Sequence, residues 1–216
     1  MKKIVSFGCS FTEFSHNYEN SKRKNKTVIE SYIIPGEPEG ETSFTFVAAN
    51  NLNTTYENYA YGGSGVRSAI YKMLYYAKTN PIDNVYFVVG VSLFSRFDFI
   101  KPFTNIRTYP SFPKEEYARY YDEKSAEFEL LTLIEMAGIY LTKKNIPHVF
   151  INTCNNYYST KDIVNTFIFP NNDEYWQKYI QSYDDSYNGN HPNFNDHVIL
   201  GKLLADYMKS NNYPSL

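Results

Sequence analysis

The feature that most constrains the fold is the segment Val85–Val91 (VYFVVGV), which is apolar along nearly its whole length. A strand that is apolar on both faces belongs in the centre of a parallel sheet covered by helices on both sides. Further strand candidates are Lys3–Phe7, residues 54–59 and His148–Asn152. Helical spacing of apolar residues separates these runs, at residues 43–52, 66–77, 125–144 and 193–209.

This alternation predicts an α/β fold, a doubly wound parallel sheet of the flavodoxin-like kind with helices on both faces. At 216 residues, we expect one domain over residues 1–216. Two segments interrupt the alternation. Residues at about 14–42 form a polar loop that ends in turn residues, and residues at about 93–122 form an aromatic insertion that shapes specificity.

The aromatic content is unusual, with 22 Tyr and 16 Phe. Tyrosine packs at core edges and at subunit contacts, which is compatible with a homo-oligomer. The alternative interpretation is a surface that stacks against sugars or docks a protein.

Charge and composition exclude several classes of protein. The net charge is -2 and the pI is about 6.1. The chain therefore lacks the excess of basic residues that is typical of nucleic-acid-binding proteins, and we expect no nucleic-acid partner. We find no membrane span and no signal-peptide apolar region, which predicts a cytoplasmic protein. The two cysteines, Cys9 and Cys154, lack zinc-site spacing, and no metal or organic cofactor is implied. The Lys/Asn/Tyr/Ile-rich composition is typical of an AT-rich genome, viral or bacterial.

Ser10 follows the first predicted strand, Gly62–Gly63 follows the second, and Ser92 follows the third. In open parallel sheets ligands bind at the carboxyl ends of the strands, so these loops are expected to meet at one edge. Ser10 is the candidate nucleophile, and its backbone N–H supplies part of an oxyanion hole. The glycine-rich segment lacks the spacing of a dinucleotide-binding motif, which excludes that class.

A serine nucleophile needs a base within hydrogen-bond reach. The chain has four histidines. His16 lies in the polar loop and His148 begins a buried strand, whereas His191 lies just before the last helix and His197 lies inside it. His191, on a loop beside a proline, is the better placed to reach Ser10.

Four short blocks, taken together, resemble those of the SGNH (GDSL-like) hydrolase superfamily in their family order. Residues 8–13 (GCSFTE) resemble G-D-S-L-T-E, and residues 58–63 (NYAYGG) resemble N-x-x-x-x-G. Residues 90–92 (GVS) stand where the family has G-x-N, and residues 188–193 (NGNHPN) where it has D-x-x-H-P-N. The resemblance implies that Gly63 donates its backbone N–H to the oxyanion, and that Ser92 takes the place of the family's oxyanion-binding asparagine.

Three positions depart from the family pattern. Cys9 replaces an acidic residue, and Ser92 offers a shorter hydroxyl donor than the usual amide. Arg96 is positioned to offset that loss or to bind a substrate carboxylate, and its alternative role is an ion pair with Asp98. Asn188 stands in place of the triad aspartate and accepts from an imidazole N–H without supplying charge.

The group that orients His191 is therefore open between Asn188, Asp184, Asp185 and a backbone carbonyl in a Ser–His dyad. The sequence predicts a serine esterase of SGNH type acting on a carboxylic ester, with an acetylated carbohydrate as the preferred substrate. Arg96 and Asn58 are the predicted substrate-binding residues. The alternative is a catalytically silent module of the same fold that binds a glycan or a protein.

Overall fold

The computed structural model of the chain describes residues 2–9, 12, 43–60, 64–92, 98–100, 106–108, 122–153, 165–167, 169–170, 175–181, 192 and 194–211. Of the predicted site residues, Asn58 and Ser92 lie within these ranges. The others lie outside the described residues, together with the predicted loop at about 14–42: Ser10, Gly63, Arg96, Asp184, Asp185, Asn188 and His191.

The strands agree closely with the apolar runs of the sequence. In chain order they are β1 (Lys3–Phe7), β2 (Thr55–Asn58), β3 (Val85–Val91), β4 (Asp98–Ile100), β5 (Ile106–Thr108) and β6 (His148–Asn152). Four of them form one parallel sheet in the order β2-β1-β3-β6. The predicted doubly wound parallel sheet is therefore confirmed.

Helices connect the strands of this sheet and follow the last of them. They are α1 (Phe44–Asn51), α2 (Val66–Thr79), α3 (Glu123–Lys143), α4 (Trp176–Gln181) and α5 (Phe194–Ser210). Ser43 caps the start of α1, because its side chain accepts from the backbone N–H of Phe46 at 3.3 Å. None of the described helices contains a stretch long and apolar enough to cross a bilayer.

Alternate residues of each strand enter two separate cores, one on each face of the sheet. Ile4, Val88 and Ile151 point to the face covered by α1, α4 and α5, where Phe44, Trp176 and Leu204 are fully buried. Phe7, Phe87 and Phe150 point to the face covered by α2 and α3, where they meet Ile70, Met73 and Ile134. Because both faces are covered, all seven residues of β3 are buried, as its sequence predicted.

Two features add to the predicted pattern. Thr166 lies beside β6 and forms a parallel bridge with Phe150 of that strand, which adds a fifth strand position to the sheet. The predicted aromatic insertion contains the antiparallel pair β4–β5, which forms a separate sheet. This pair thus lies outside the main sheet, and β4 contacts α2.

Candidate active site

The carboxyl ends of β1 and β3 lie side by side where the strand order reverses. From β1 the chain crosses to β2 on one side, whereas β3 and β6 lie on the other. The crevice at such a reversal is where open parallel α/β sheets bind their ligands. Gly8 and Cys9 follow β1 at this edge, and Ser92 follows β3.

A hydrogen-bonded turn closes around the position of the predicted nucleophile. The backbone N–H of Thr12 donates to the carbonyl of Cys9 at 2.9 Å, and Ser10 lies between these two residues in the sequence. Cys9 and Thr12 are both fully buried. The turn therefore begins and ends inside the protein at the carboxyl edge of the sheet.

The Thr12 side chain fits between two glycines, one at the end of each central strand. A Cβ atom built on Gly8 would lie 2.2 Å from Thr12 Oγ1, and one built on Gly90 would lie 2.0 Å from the same oxygen. Any larger residue at either position would collide with Thr12. Gly8 also has a φ of +157°, a backbone conformation that L side chains rarely adopt.

Asn58 ends β2 and uses its side chain to shape the turn that follows. Its Oδ1 accepts from Ser6 Oγ at 2.9 Å and from the backbone N–H of Ala60 at 2.9 Å. Its Nδ2 donates to the Thr12 carbonyl at 3.5 Å. These bonds join β1, β2 and the Thr12 turn, and they direct the chain toward residues 61–63. The role of Asn58 toward substrate stays a prediction.

Ser92 lies at the predicted edge and is buried, with 1% of its surface exposed. Its hydroxyl donates to the Ser64 carbonyl at 3.2 Å. This bond ties the end of β3 to the segment that leads into α2, directly after the position of Gly63. Directly after β6, Thr153 donates to the Val91 carbonyl through both its backbone N–H, at 2.9 Å, and its hydroxyl, at 2.8 Å.

His197 lies in α5, as predicted, but its side chain is buried in the core. It is 1% exposed, and its Nδ1 accepts from the backbone N–H of Phe44 at 3.1 Å. Its ring stacks on Phe44 and meets Trp176 edge-on at a centroid distance of 4.8 Å. The imidazole therefore accepts a hydrogen bond from the first turn of α1 and links α5 to α1.

His148 lies at the opposite edge of the sheet, at the amino end of β6. Its Nδ1 is 2.9 Å from the Ile146 carbonyl and its Nε2 is 3.1 Å from Asn165 Nδ2. These partners fit a neutral ring that donates through Nδ1 and accepts through Nε2. Burial lowers the pKa of His148 below its ordinary value of 6.5, in spite of the bond to Ile146.

The lowered pKa of His148 predicts a pH dependence of stability. Below about pH 6.5 His148 becomes protonated in the unfolded chain, whereas in the folded chain it stays neutral to a lower pH. Because the unfolded state then binds more protons, the free energy of unfolding falls with decreasing pH. The slope from one proton is at most about 1.4 kcal/mol per pH unit. Urea unfolding between pH 5 and 7.5 should show a steeper loss for the natural chain than for His148→Gln, and equal slopes would contradict this account.

The Glu57 carboxylate joins the edge strand β2 to β1 and to α2. Glu57 Oε1 binds Lys3 Nζ at 2.6 Å, and Oε2 accepts from the hydroxyls of Tyr76 at 3.0 Å and Tyr59 at 3.4 Å. Burial, together with this carboxylate, raises the pKa of both tyrosines to about 12. Both phenols are therefore neutral donors, and this cluster is structural.

Thr12 and Ser64 were not among the predicted site residues, yet both contact the predicted ones. Thr12 stands inside the G-C-S-F-T-E block, where the motif position was the signal available in the sequence. Ser64 carries no such signal, because it contributes a backbone carbonyl that any residue could supply.

Solved structures with similar folds cover almost the whole chain. A protein of the G-D-S-L family from Desulfitobacterium hafniense DCB-2 matches 95% of this chain and 99% of its own, with 10% identity and a TM-score of 0.50. The psychrotrophic esterase EstA from a Pseudoalteromonas species matches 97% of this chain and 98% of its own, with 10% identity and a TM-score of 0.53. At such identities the likeness concerns the fold alone.

Comparison of the sequence with family models and with curated proteins gives no match. The fold relationship thus depends on the sheet and its helices together with the four sequence blocks. On these grounds the chain has the α/β fold of the SGNH (GDSL-like) hydrolases.

Proposed function

We propose that this protein is a carboxylic ester hydrolase in which Ser10 is the nucleophile and His191 its general base. The observation that carries the proposal is the turn from Cys9 to Thr12, which lies at the strand-order reversal of an SGNH fold. Ser10 is the second residue of that four-residue turn. Ligands of this fold type enter at the same crevice.

The proposed reaction is acyl transfer through a covalent intermediate. His191 takes the proton of Ser10 as its oxygen attacks the ester carbonyl, and the tetrahedral intermediate collapses when His191 returns that proton to the leaving alcohol. Water, activated by the same imidazole, then releases the acid and restores Ser10. Asn188 is the proposed orienting group for the imidazole.

The two histidines that the structure describes support His191 by elimination. His197 accepts a backbone hydrogen bond inside the core, and His148 lies at the far edge of the sheet. Neither ring is available at the crevice. Of the remaining pair, His16 and His191, only His191 stands in a block that resembles the family's histidine motif.

The proposed oxyanion donors are the backbone N–H groups of Ser10 and Gly63 and the hydroxyl of Ser92. Ser92 already donates to the Ser64 carbonyl, and a hydroxyl has one proton to give. To serve the oxyanion it must exchange that acceptor for the substrate oxygen in the transition state. Ser92 is therefore a weaker donor than an amide, which could keep one N–H bond while giving the other.

Ser92→Ala tests this assignment. We expect kcat to fall by about 10-fold to 100-fold, somewhat less than for a dedicated oxyanion donor, with KM changed little because the bond forms in the transition state. Steady-state kinetics on p-nitrophenyl acetate measures the effect. Ser125→Ala, which removes an exposed hydroxyl at the start of α3, is the control. An unchanged kcat in Ser92→Ala would remove Ser92 from the oxyanion hole.

The preferred substrate class is an acetylated carbohydrate, with Arg96 and Asn58 as proposed substrate-binding residues. Support comes from the aromatic insertion, which follows Ser92 directly and carries many tyrosine and phenylalanine residues suited to stacking on sugar rings. Its β4 strand contacts α2, whose first turn lies next to Ser64 at the carboxyl edge.

A fluorophosphonate probe tests the nucleophile directly. The similar EstA structure was inhibited by monoethylphosphonate, and we expect a reagent of this class to form one adduct on Ser10 here. Peptide mapping by mass spectrometry locates the adduct, and acetate release from acetylated xylan against tributyrin compares the substrate classes. An absence of any adduct at Ser10, with the protein folded, would overturn the proposal.

A silent binding module of the same fold is the second candidate. The engaged hydroxyl of Ser92 and the uncharged Asn188 favour it. Such a module would bind an acetylated glycan without releasing acetate. The natural chain, Ser10→Ala and His191→Ala would then give the same turnover as buffer.

A further inference from the structure

We propose that Thr12 is a positioning residue for the nucleophile, a spacer between the two central strands that sets the distance from Ser10 to the donor on β3. This inference rests on the proposed function, because it assigns Thr12 a part in placing Ser10. Thr12 itself touches neither substrate nor the reacting atoms in this account.

The location of Thr12 is the first argument. Its side chain lies against Gly8 at the end of β1 and against Gly90 at the end of β3. Its carbonyl accepts from Asn58 at the end of β2, and its N–H closes the turn onto Cys9. One residue thus contacts the three strand ends from which the proposed nucleophile and oxyanion donors extend.

The tightness of the fit is the second argument. Because Oγ1 lies 2.2 Å from a Cβ built on Gly8 and 2.0 Å from one built on Gly90, this oxygen occupies the space that a side chain on either glycine would need. A methyl group is larger than a hydroxyl oxygen and would push the strand ends apart. A smaller side chain would leave a hole into which the turn could relax.

The hydroxyl itself is the third argument. Thr12 is fully buried, and within the part of the chain that the structure describes its Oγ1 has no hydrogen-bond partner. A buried hydroxyl without a partner is normally unfavourable and calls for an explanation. A requirement for an oxygen-sized spacer at this point supplies one.

The consequence concerns the chemical step. Ser10 is two residues from Thr12 inside the same turn, and Ser92 is two residues from Gly90 on the other side of the spacer. A shift of the turn by about 1 Å would misplace the attacking oxygen relative to the oxyanion donors, and such a shift costs about 100-fold in rate. Substrate binding elsewhere in the crevice would change little.

Thr12→Ala and Thr12→Ser form a matched pair for the test, since serine keeps the oxygen and alanine removes it. We expect Thr12→Ala to lower the rate constant of fluorophosphonate labelling at Ser10 and kcat by about 10-fold to 100-fold, with KM within about twofold. Thr12→Ser should stay within about threefold of the natural chain. Thermal unfolding measured on the same samples gives the folded fraction, to which each rate is normalised.

Gly90→Ala provides a second, independent arm. The new Cβ would collide with Thr12 Oγ1, and we expect slower labelling of Ser10. In Gly90→Ala/Thr12→Ala the colliding oxygen is gone, and the nearest remaining atoms are Thr12 Cβ at 3.3 Å and the Phe7 carbonyl at 3.6 Å. The double variant should therefore label faster than Gly90→Ala alone, a non-additive result expected for residues in contact.

The outcomes separate the two proposals. If the natural chain is labelled at Ser10 while Thr12→Ala labels equally fast, or Thr12→Ser is as slow as Thr12→Ala, the positioning role is wrong and the esterase proposal stands. Effects of Gly90→Ala and Thr12→Ala that simply add would also overturn the positioning role. If the natural, folded chain is not labelled at all, the esterase proposal falls, and the role of Thr12 falls with it.

Discussion

Ser10→Ala is expected to reduce ester hydrolysis by at least about 1,000-fold, because it removes the atom that attacks the carbonyl. In serine hydrolases the residual rate without a nucleophile comes from the oxyanion hole and substrate binding alone. The loss should appear in kcat, and fluorophosphonate labelling should disappear altogether. The fold should be unaffected, since Cys9 and Thr12 close the turn through backbone atoms.

His191→Ala should be almost as damaging, and the double variant Ser10→Ala/His191→Ala should be no slower than either single variant. Residues that act as a unit give such non-additive losses. His148→Gln is the matched control for the histidine, because His148 lies at the opposite edge of the sheet, and Ser125→Ala is the control for the serine. Additive losses from Ser10 and His191 would show that the two do not act in one step.

Gly201→Ala is expected to destabilise the fold, although it adds only one methyl group. Gly201 lies in α5 where it crosses α1, and a Cβ there would lie 2.5 Å from Val47 Cβ and 2.6 Å from the Phe44 carbonyl oxygen. Alanine favours a helix by about 1 kcal/mol over glycine. The collision with backbone outweighs this gain, and we expect a net loss of about 1–3 kcal/mol in the free energy of unfolding.

Gly138→Ala is the matched control, a second helical glycine under the sheet. A Cβ on Gly138 would meet only the edge of the Phe150 ring, at 3.3 Å, and His148 Nε2, at 3.7 Å. The ring can yield by a few tenths of an ångström, so the helix preference of alanine is not outweighed, and we expect no net loss and a gain of up to about 1 kcal/mol. Urea unfolding of both variants measures the difference. Equal stabilities would contradict the close α1–α5 contact.

The sequence predicted those parts of the fold in which a residue's environment repeats along the chain. β3 is apolar on both faces because helices cover both faces, and its bounds, Val85–Val91, agree with the prediction. The long helix α3 was predicted at 125–144 and is found at Glu123–Lys143, where Asp122 caps its first turn by accepting from the Ser125 N–H at 3.2 Å. Repeating burial leaves a periodic pattern that a reader of the sequence can detect.

Short elements held by distant contacts were missed. The helix α4 has six residues, too few for a visible period, and its Trp176 is buried against Phe44 from the other end of the sequence. The strands β4 and β5 have three residues each. Their partners are set by tertiary structure, which intrinsic propensity does not encode.

The candidate site was predictable in its location and less so in its contacts. Strand ends and motif blocks placed Ser92 and Asn58 at the carboxyl edge, where both are found. The bonds that these residues make, to Ser64, Ser6 and Ala60, depend on distances across the sheet. Such distances follow from packing and leave no pattern along the chain.

The pairing of α1 with α5 joins residues 44–51 to residues 194–210. During synthesis on a ribosome, α1 emerges before β3, α3 and β6, and its partner helix α5 emerges only after all of them. Until α5 has been made, Phe44, Ala48 and the apolar side chains packed against them are not covered by that helix. Late closure of long-range contacts slows folding and leaves the nascent chain prone to aggregation, so this face of the sheet is where chaperone binding to the unfinished chain is expected.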